Sequence, residues 1–172
     1  MTNYQLAKLV EWADTLKTRK GMQKLVYLLQ AAGCPFQADY RLHHYGPYSD
    51  DVAEVADDLV RRGFLQERAV ANAAGKQFNY SLTPKASESI AELEATPRGA
   101  SRHAELAGFE TLAQDLVCRD VRELELAATI VFFRQQDHEW PTAVEKACQF
   151  KSLARDKALL QKAEKLAKRV CS

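Results

Sequence analysis

The sequence predicts a mainly α fold, with a winged helix-turn-helix-like N-terminal half that carries a small β-hairpin and a C-terminal helical bundle. Three observations predict it. Apolar residues recur at helical spacing through most of the chain. Two short alternating segments, residues 64–68 and 78–82, flank the small-residue stretch Ala71-Asn72-Ala73-Ala74-Gly75, the pattern of a hairpin with a longer loop. Three helical stripes precede that hairpin, which is the element order of a winged helix.

Each element has its own signal. Leu6, Leu9, Val10 and Ala13 stripe a first helix over residues 4–16. In the polar turn Lys17-Thr18-Arg19-Lys20, Thr18 stands where a cap would stand. Met22, Leu25, Val26, Leu29 and Ala32 stripe a second helix, ended by Gly33 and blocked by Pro35. An aromatic and histidine-rich approach, Tyr40-Arg41-Leu42-His43-His44-Tyr45, leads to a rigid corner, Gly46-Pro47-Tyr48. Ser49 then reads as an N-cap, with Asp50 and Asp51 offsetting the dipole of a third helix. Its stripe is Val52, Val55, Ala56, Leu59 and Val60, and Gly63 ends it. After the hairpin, Thr83-Pro84 is a cap with proline at the first helical position, starting a helix to residue 94.

Thr96-Pro97-Arg98-Gly99-Ala100-Ser101 reads as a linker, dividing a winged-helix-like domain (residues 1–95) from a helical subdomain (residues 102–172) packed on it. Beyond it, Phe109, Leu112, Ala113, Leu116 and Val117 form one stripe. Residues 124–133 are apolar nearly all round and should be the buried centre of this part. Pro141 opens a short helix to residue 150. A last helix over 154–170 should bury Leu159, Leu160, Ala163, Leu166, Ala167 and Val170.

The bulk composition narrows the function classes. With 172 residues, 47% hydrophobic and 27% charged, the chain has the make-up of a soluble globular protein. No apolar run approaches the roughly 20 residues of a membrane span, and the N-terminus lacks the regions of a signal peptide. Cys34, Cys118, Cys148 and Cys171 are scattered without a Cys-x-x-Cys pair, so a reduced cytoplasmic protein is expected. The net charge of +1 gives no global pull toward nucleic acid. Residues 140–172 hold eight Lys/Arg against three Asp/Glu, which reads first as a solvated basic helix face.

Two pieces of the chain carry a resemblance. Gln23-Lys24-Leu25-Val26-Tyr27-Leu28-Leu29-Gln30 and Tyr45-Gly46-Pro47-Tyr48-Ser49 resemble the YwgA-like family of uncharacterised bacterial proteins. Leu126-Ala127-Ala128-Thr129-Ile130-Val131-Phe132 also looks like that family's central C-terminal helix. The first two motifs are similar to the Panacea, or SocA-like, antitoxin domain, although that domain usually lacks the Tyr-Ser after its Tyr-Gly-Pro corner. The resemblance implies a winged-helix-like N-terminal half without established catalysis. Its Panacea side implies a fold that binds and neutralises a protein partner.

The residues themselves argue against chemistry. Cys34 with His43 and His44 fits no zinc spacing. No phosphate-cradling glycine loop, Gly-x-Ser-x-Gly or His-x-x-x-His occurs. No catalytic, metal or cofactor residue is therefore nominated, and a non-enzymatic protein is expected. His43 and His44 should point to opposite faces, one packed and one exposed, and Cys118 and Cys148 should be core residues. Tyr45 and Tyr48 either pin the second and third helices together or form an interface.

The third helix presents Asp50, Asp51, Glu54, Asp57 and Asp58, five acids in nine residues, next to Tyr45 and Tyr48. This surface is the expected docking site for a basic protein partner, as in an antitoxin-like or regulatory adaptor. The sequence also leaves room for a homodimer. The alternative is a DNA-binding regulator using Arg19, Lys20, Lys165, Lys168 and Arg169, but an acidic third helix opposes the phosphate term.

Overall fold

In the computed structural model of the chain, which describes residues 1–72, 75–151 and 156–172, two central helices organise everything else. They are α2 (Arg19–Ala31) and α7 (Val121–Arg134), and they pack side by side. Helix α2 is buried without interruption from Gly21 to Leu29, and α7 buries Glu123, Leu124 and Leu126 through Val131. A helix apolar all round needs neighbours on every side. Here α3 (Asp50–Arg61), α6 (Glu110–Val117), α8 (Trp140–Lys151) and α9 (Lys157–Val170) supply them, and α1 (Asn3–Ala13) packs in turn on α3 and α6. One apolar core runs from Leu6, Val26 and Leu59 to Leu116, Ile130 and Val170, so the two halves of the sequence share it.

The chain is mainly helical with small antiparallel sheets. Strands β4 (Leu65–Asn72) and β5 (Gly75–Leu82) form the expected hairpin, with Leu65 opposite Leu82. Its expected turn at Ala73-Ala74 lies outside the described residues, as does the expected start of the last helix at Ala154. The first helix stops at Ala13, earlier than its apolar pattern suggests, because Leu16 and Lys17 form β1. Leu16 pairs with Tyr80 of β5, giving the sheet order β1-β5-β4. Both residues are fully buried.

The caps expected at Thr18, Ser49 and Thr83 form, and Thr2 and Asp120 add two beyond those expected. The side chains of Thr2, Thr18, Ser49, Thr83 and Asp120 accept hydrogen bonds from the first turns of α1, α2, α3, α4 (Pro84–Glu94) and α7. The expected linker at residues 96–101 is instead helical. Thr96 caps α5 (Pro97–Ala107), with Pro97 in its first turn, so the Thr-Pro signal works as it does at Thr83-Pro84. Gly99 belongs there because a Cβ would collide with the Leu93 carbonyl where α5 turns back on α4. Among the described residues no helix is long and apolar enough to cross a membrane.

Residues 32–49 do not make a tight turn between α2 and α3. They run back along α2, bury Cys34, Phe36 and Ala38, and close with a second hairpin of β2 (Arg41–His43) and β3 (Gly46–Tyr48).

Candidate functional site

The three stretches that carry the sequence resemblance meet in space. Gln23, buried to 4% exposure, uses both ends of its amide on one residue: Nε2 donates to the Ser49 carbonyl at 2.8 Å, and Oε1 accepts from the Ser49 N–H at 2.9 Å. One heptad on, Gln30 does the same with the carbonyl and N–H of Ala38, both at 3.0 Å. Each glutamine thereby replaces a strand partner for a segment that has none. Between them, Tyr27 stacks edge-on against Tyr40 with centroids 4.7 Å apart and donates its hydroxyl to Gln135 at 2.8 Å.

The corner is held from the other side by α7. Gly46 has φ +88°, and a Cβ would lie 2.5 Å from Thr129 Oγ1. Only glycine satisfies both the left-handed backbone and that approach. Thr129 Oγ1 in turn donates to the Glu125 carbonyl at 2.7 Å. Lys24, 1% exposed, donates its Nζ to the Pro47 carbonyl at 2.6 Å. Burial pushes its ammonium down to about 8; Glu125 offsets this in part, while Lys151 and Lys20 add to it.

Tyr45 projects from this locked corner and is 53% exposed. Lys20 Nζ sits 4.0 Å from its ring centroid. Glu125 lies beneath, one carboxylate oxygen 3.3 Å from Lys20 and the other 3.3 Å from Lys151. Burial holds the Lys151 ammonium below its ordinary range, with Glu125 opposing that shift and Lys20 adding to it. Clefts open on both sides of Tyr45. One, about 130 Å³, is walled by Met22, Val52, Ala53 and Ala56. The other, about 280 Å³, lies toward α7 and α8.

The acidic face of α3 is less free than its sequence suggests. Asp50 pairs with Arg41 at 2.7 Å, Asp57 with Arg19, and Asp58 with Arg61 at 2.6 Å while also accepting from Asn3 at 2.8 Å. Asp51 accepts from the Asp39 N–H at 2.9 Å. Glu54 is exposed, and Tyr48 is half-buried. The basic candidates are scattered. Arg19 is bound to Asp57, Lys20 to Glu125, Lys168 to Glu164 at 2.7 Å, and Arg169 to Asp115. Lys165 is exposed on α9, beside a cleft with Arg119 and Lys162.

Several expectations need correction. His43 and His44 are both exposed, because they occupy the end and turn of a two-strand hairpin rather than a buried strand. Cys118 is exposed, since it caps α6 just past the apolar stripe, and Cys148 is only half-buried. Tyr45 does not pin α2 to α3 from within; the glutamine and lysine of α2 hold the corner instead. Among the described residues, no group of three or more His, Cys, Asp and Glu could hold a metal ion.

Glu125, Lys151 and Arg122 carry no sequence signal of a site, and Lys24 stands out only as a cation within the Gln23-Lys24 motif. That adjacent polar pair inside an apolar run was the signal available for Lys24. No family model matches the sequence. The chain is similar to the uncharacterized protein YwgA of Bacillus subtilis (strain 168), with 29% identity over 131 residues, which cover 75% of this chain and 72% of that protein. That likeness, on a chain whose motif stretches close around one corner, supports a YwgA-like family.

Proposed function

We propose that the protein is a non-catalytic interaction module whose protein partner docks on the Tyr45 corner and the adjoining face of α3. The observation that carries this reading is Tyr45 itself. It is a large side chain left half in solvent at the tip of a hairpin whose base is fixed by Gln23, Lys24 and Thr129. A rigid aromatic anchor loses little entropy on binding and buries much area, the usual make-up of a hot spot. Glu54 and the half-paired aspartates add charge for steering toward a basic partner. An antitoxin-like or regulatory adaptor is one form this module takes, as the Panacea resemblance implies.

The N-terminal order α1-β1-α2-β2-β3-α3-β4-β5, with sheet order β1-β5-β4, reads as winged-helix-like once the β2-β3 hairpin is set aside as an insertion between α2 and α3. That order is also the argument for the alternative, a DNA-binding regulator. It has weaker support: four of the five nominated cations are already in ion pairs, and residues 32–49 replace the short turn between α2 and α3. Mobility shifts on the gene's own upstream DNA that weaken steeply with salt would favour it.

The test uses the full chain as bait in lysate of its own host, with Tyr45→Ala and Tyr45→Phe in parallel. A partner enriched by the parent and by Tyr45→Phe, and lost with Tyr45→Ala, supports the reading. Equal recovery on all three baits, or no enrichment over an unrelated bait, overturns it.

A further inference from the structure

Tyr45 and Phe150 are two of the large hydrophobic side chains left exposed, at 53% and 37%. They come from distant parts of the sequence, yet both line the cleft of about 280 Å³ between the 41–48 hairpin and the α7–α8 pair. Lys151 Nζ lies 6.0 Å from the centroid of each ring. Arg122 and His44 also line the cleft, and Glu125 is its acid.

The charges in this cleft do not balance. Both Glu125 oxygens are already taken, one by Lys20 and one by Lys151, each at 3.3 Å. The side chain of Arg122 is exposed and makes no ion pair among the described residues. Lys24, buried close by, donates to a carbonyl oxygen, and the same Glu125 offsets its burial only in part. Arg122 and Lys151 thus face a single carboxylate in the cleft, and that carboxylate also binds Lys20 from outside it. Lys151 bears part of the desolvation cost, with only 8% of its side chain exposed. An anion in the cleft would offset that cost.

The lining also tells which anion. Two aromatic faces beside cations favour a flat ring over a bare ion, since stacking and cation–π attraction act together. The guanidinium of Arg122 suits a phosphoryl group by its planar fork of donors. A volume of about 280 Å³ sits at the lower edge of ordinary small-ligand sites. It has room for one ring with one phosphoryl group.

We infer that the cleft lined by His44, Tyr45, Arg122, Glu125, Phe150 and Lys151 binds a small phosphorylated aromatic ligand of the mononucleotide class. The phosphoryl group lies toward Arg122 and Lys151, and the ring against Tyr45 or Phe150. This site does not depend on the protein-partner reading, because Arg122 and Phe150 lie on α7 and α8, away from the acidic face of α3.

Isothermal titration of the full chain at low ionic strength tests it, with the four common nucleoside 5′-monophosphates, a nucleoside and inorganic phosphate as probes. At least one monophosphate should bind about 10-fold more tightly than either the nucleoside or phosphate alone. Arg122→Gln and Phe150→Leu should each weaken it by about 5-fold or more. Both positions are exposed, so neither change threatens folding. Lack of binding by all four monophosphates up to about 5 mM overturns the inference. So does binding that both variants leave unchanged. A 5′-phosphorylated oligonucleotide binding more than about 10-fold tighter than any monophosphate also overturns it, in favour of a strand-binding surface.

Discussion

Lys8 on α1 and Lys24 on α2 are exposed to 4% and 1%, and each carries an ammonium into the same core. Lys8 is met by two carboxylates, Glu94 at 3.0 Å and Glu11 closer still, and Tyr4 donates to Glu94 at 2.7 Å. Burial opposes its charge, but the hydrogen bonds it donates to Glu11 and Glu94 outweigh burial and hold the ammonium above its ordinary range. Lys24 meets a carbonyl oxygen, two other lysines and a shared carboxylate, and burial prevails. The same side chain at similar depth is therefore a staple between α1 and α4 in one place and an under-compensated charge in the other. Such imbalance gathers at functional sites more often than at purely structural ones.

The largest expected effect attacks the Lys24 side alone. Gly46→Ala forces a Cβ onto Thr129 Oγ1 at a left-handed φ and should cost about 3 kcal/mol or more in urea unfolding. Adding Thr129→Ala should recover part of that loss. If the single change is silent, the corner is not held as described.

Next in size is a pH effect expected at one lysine and absent at the other. In the unfolded chain Lys24 titrates near 10.5 and in the folded chain near 8, so between these values the unfolded state binds the extra proton. Stability of the parent relative to Lys24→Met should then rise with pH across that window, by roughly 3 kcal/mol. The Lys8 contribution is fully present below 10.5 and is lost only above it, so the parent relative to Lys8→Met should stay flat over the same range. Unfolding curves at pH 7 and pH 10 for the three proteins separate the two behaviours.

At pH 7 the two methionine variants should already differ. Lys8→Met leaves two carboxylates without their cation and should cost about 2 kcal/mol. Lys24→Met removes a charge that burial disfavours but also the partner of the Pro47 carbonyl, so the net change should stay within about 1 kcal/mol. Equal losses at the two sites would break the comparison. The smallest contrast is between the two glutamines. Gln23→Ala, fully enclosed, should cost about 2 kcal/mol, and the half-buried Gln30→Ala about 1 kcal/mol.

Much of this architecture is local in origin and was legible in the chain. Thr18, Ser49 and Thr83 cap helices because a short side-chain oxygen reaches the next N–H groups whatever the surroundings. The stripe of Val52, Ala56 and Leu59 and the hairpin at residues 64–82 follow from periodicity in the same way. Where the local signal was ambiguous, packing decided. Thr96-Pro97 with Gly99 reads equally as a linker or as a helix start, and the close approach of α5 to the end of α4 selects the helix. Leu16 continues an apolar stripe, yet pairing with Tyr80 draws it into a strand.

The candidate site divides along the same line. Tyr45, Gly46 and Pro47 stand out in the sequence as an aromatic residue on a rigid corner, since glycine and proline restrict the backbone by themselves. The acids of α3 were visible too, but not their pairing with Arg41, Arg19 and Asn3, which lie up to 55 positions away along the chain. Nothing local places Lys24, Glu125 and Lys151 together; they converge because α2, α7 and α8 share one core. The sequence by itself determined the helices, their caps and the rigid corner, all set by interactions within a few residues. Only the tertiary structure decided which charges meet and which stay uncompensated, because burial and Coulomb energy depend on distance in space and not along the chain.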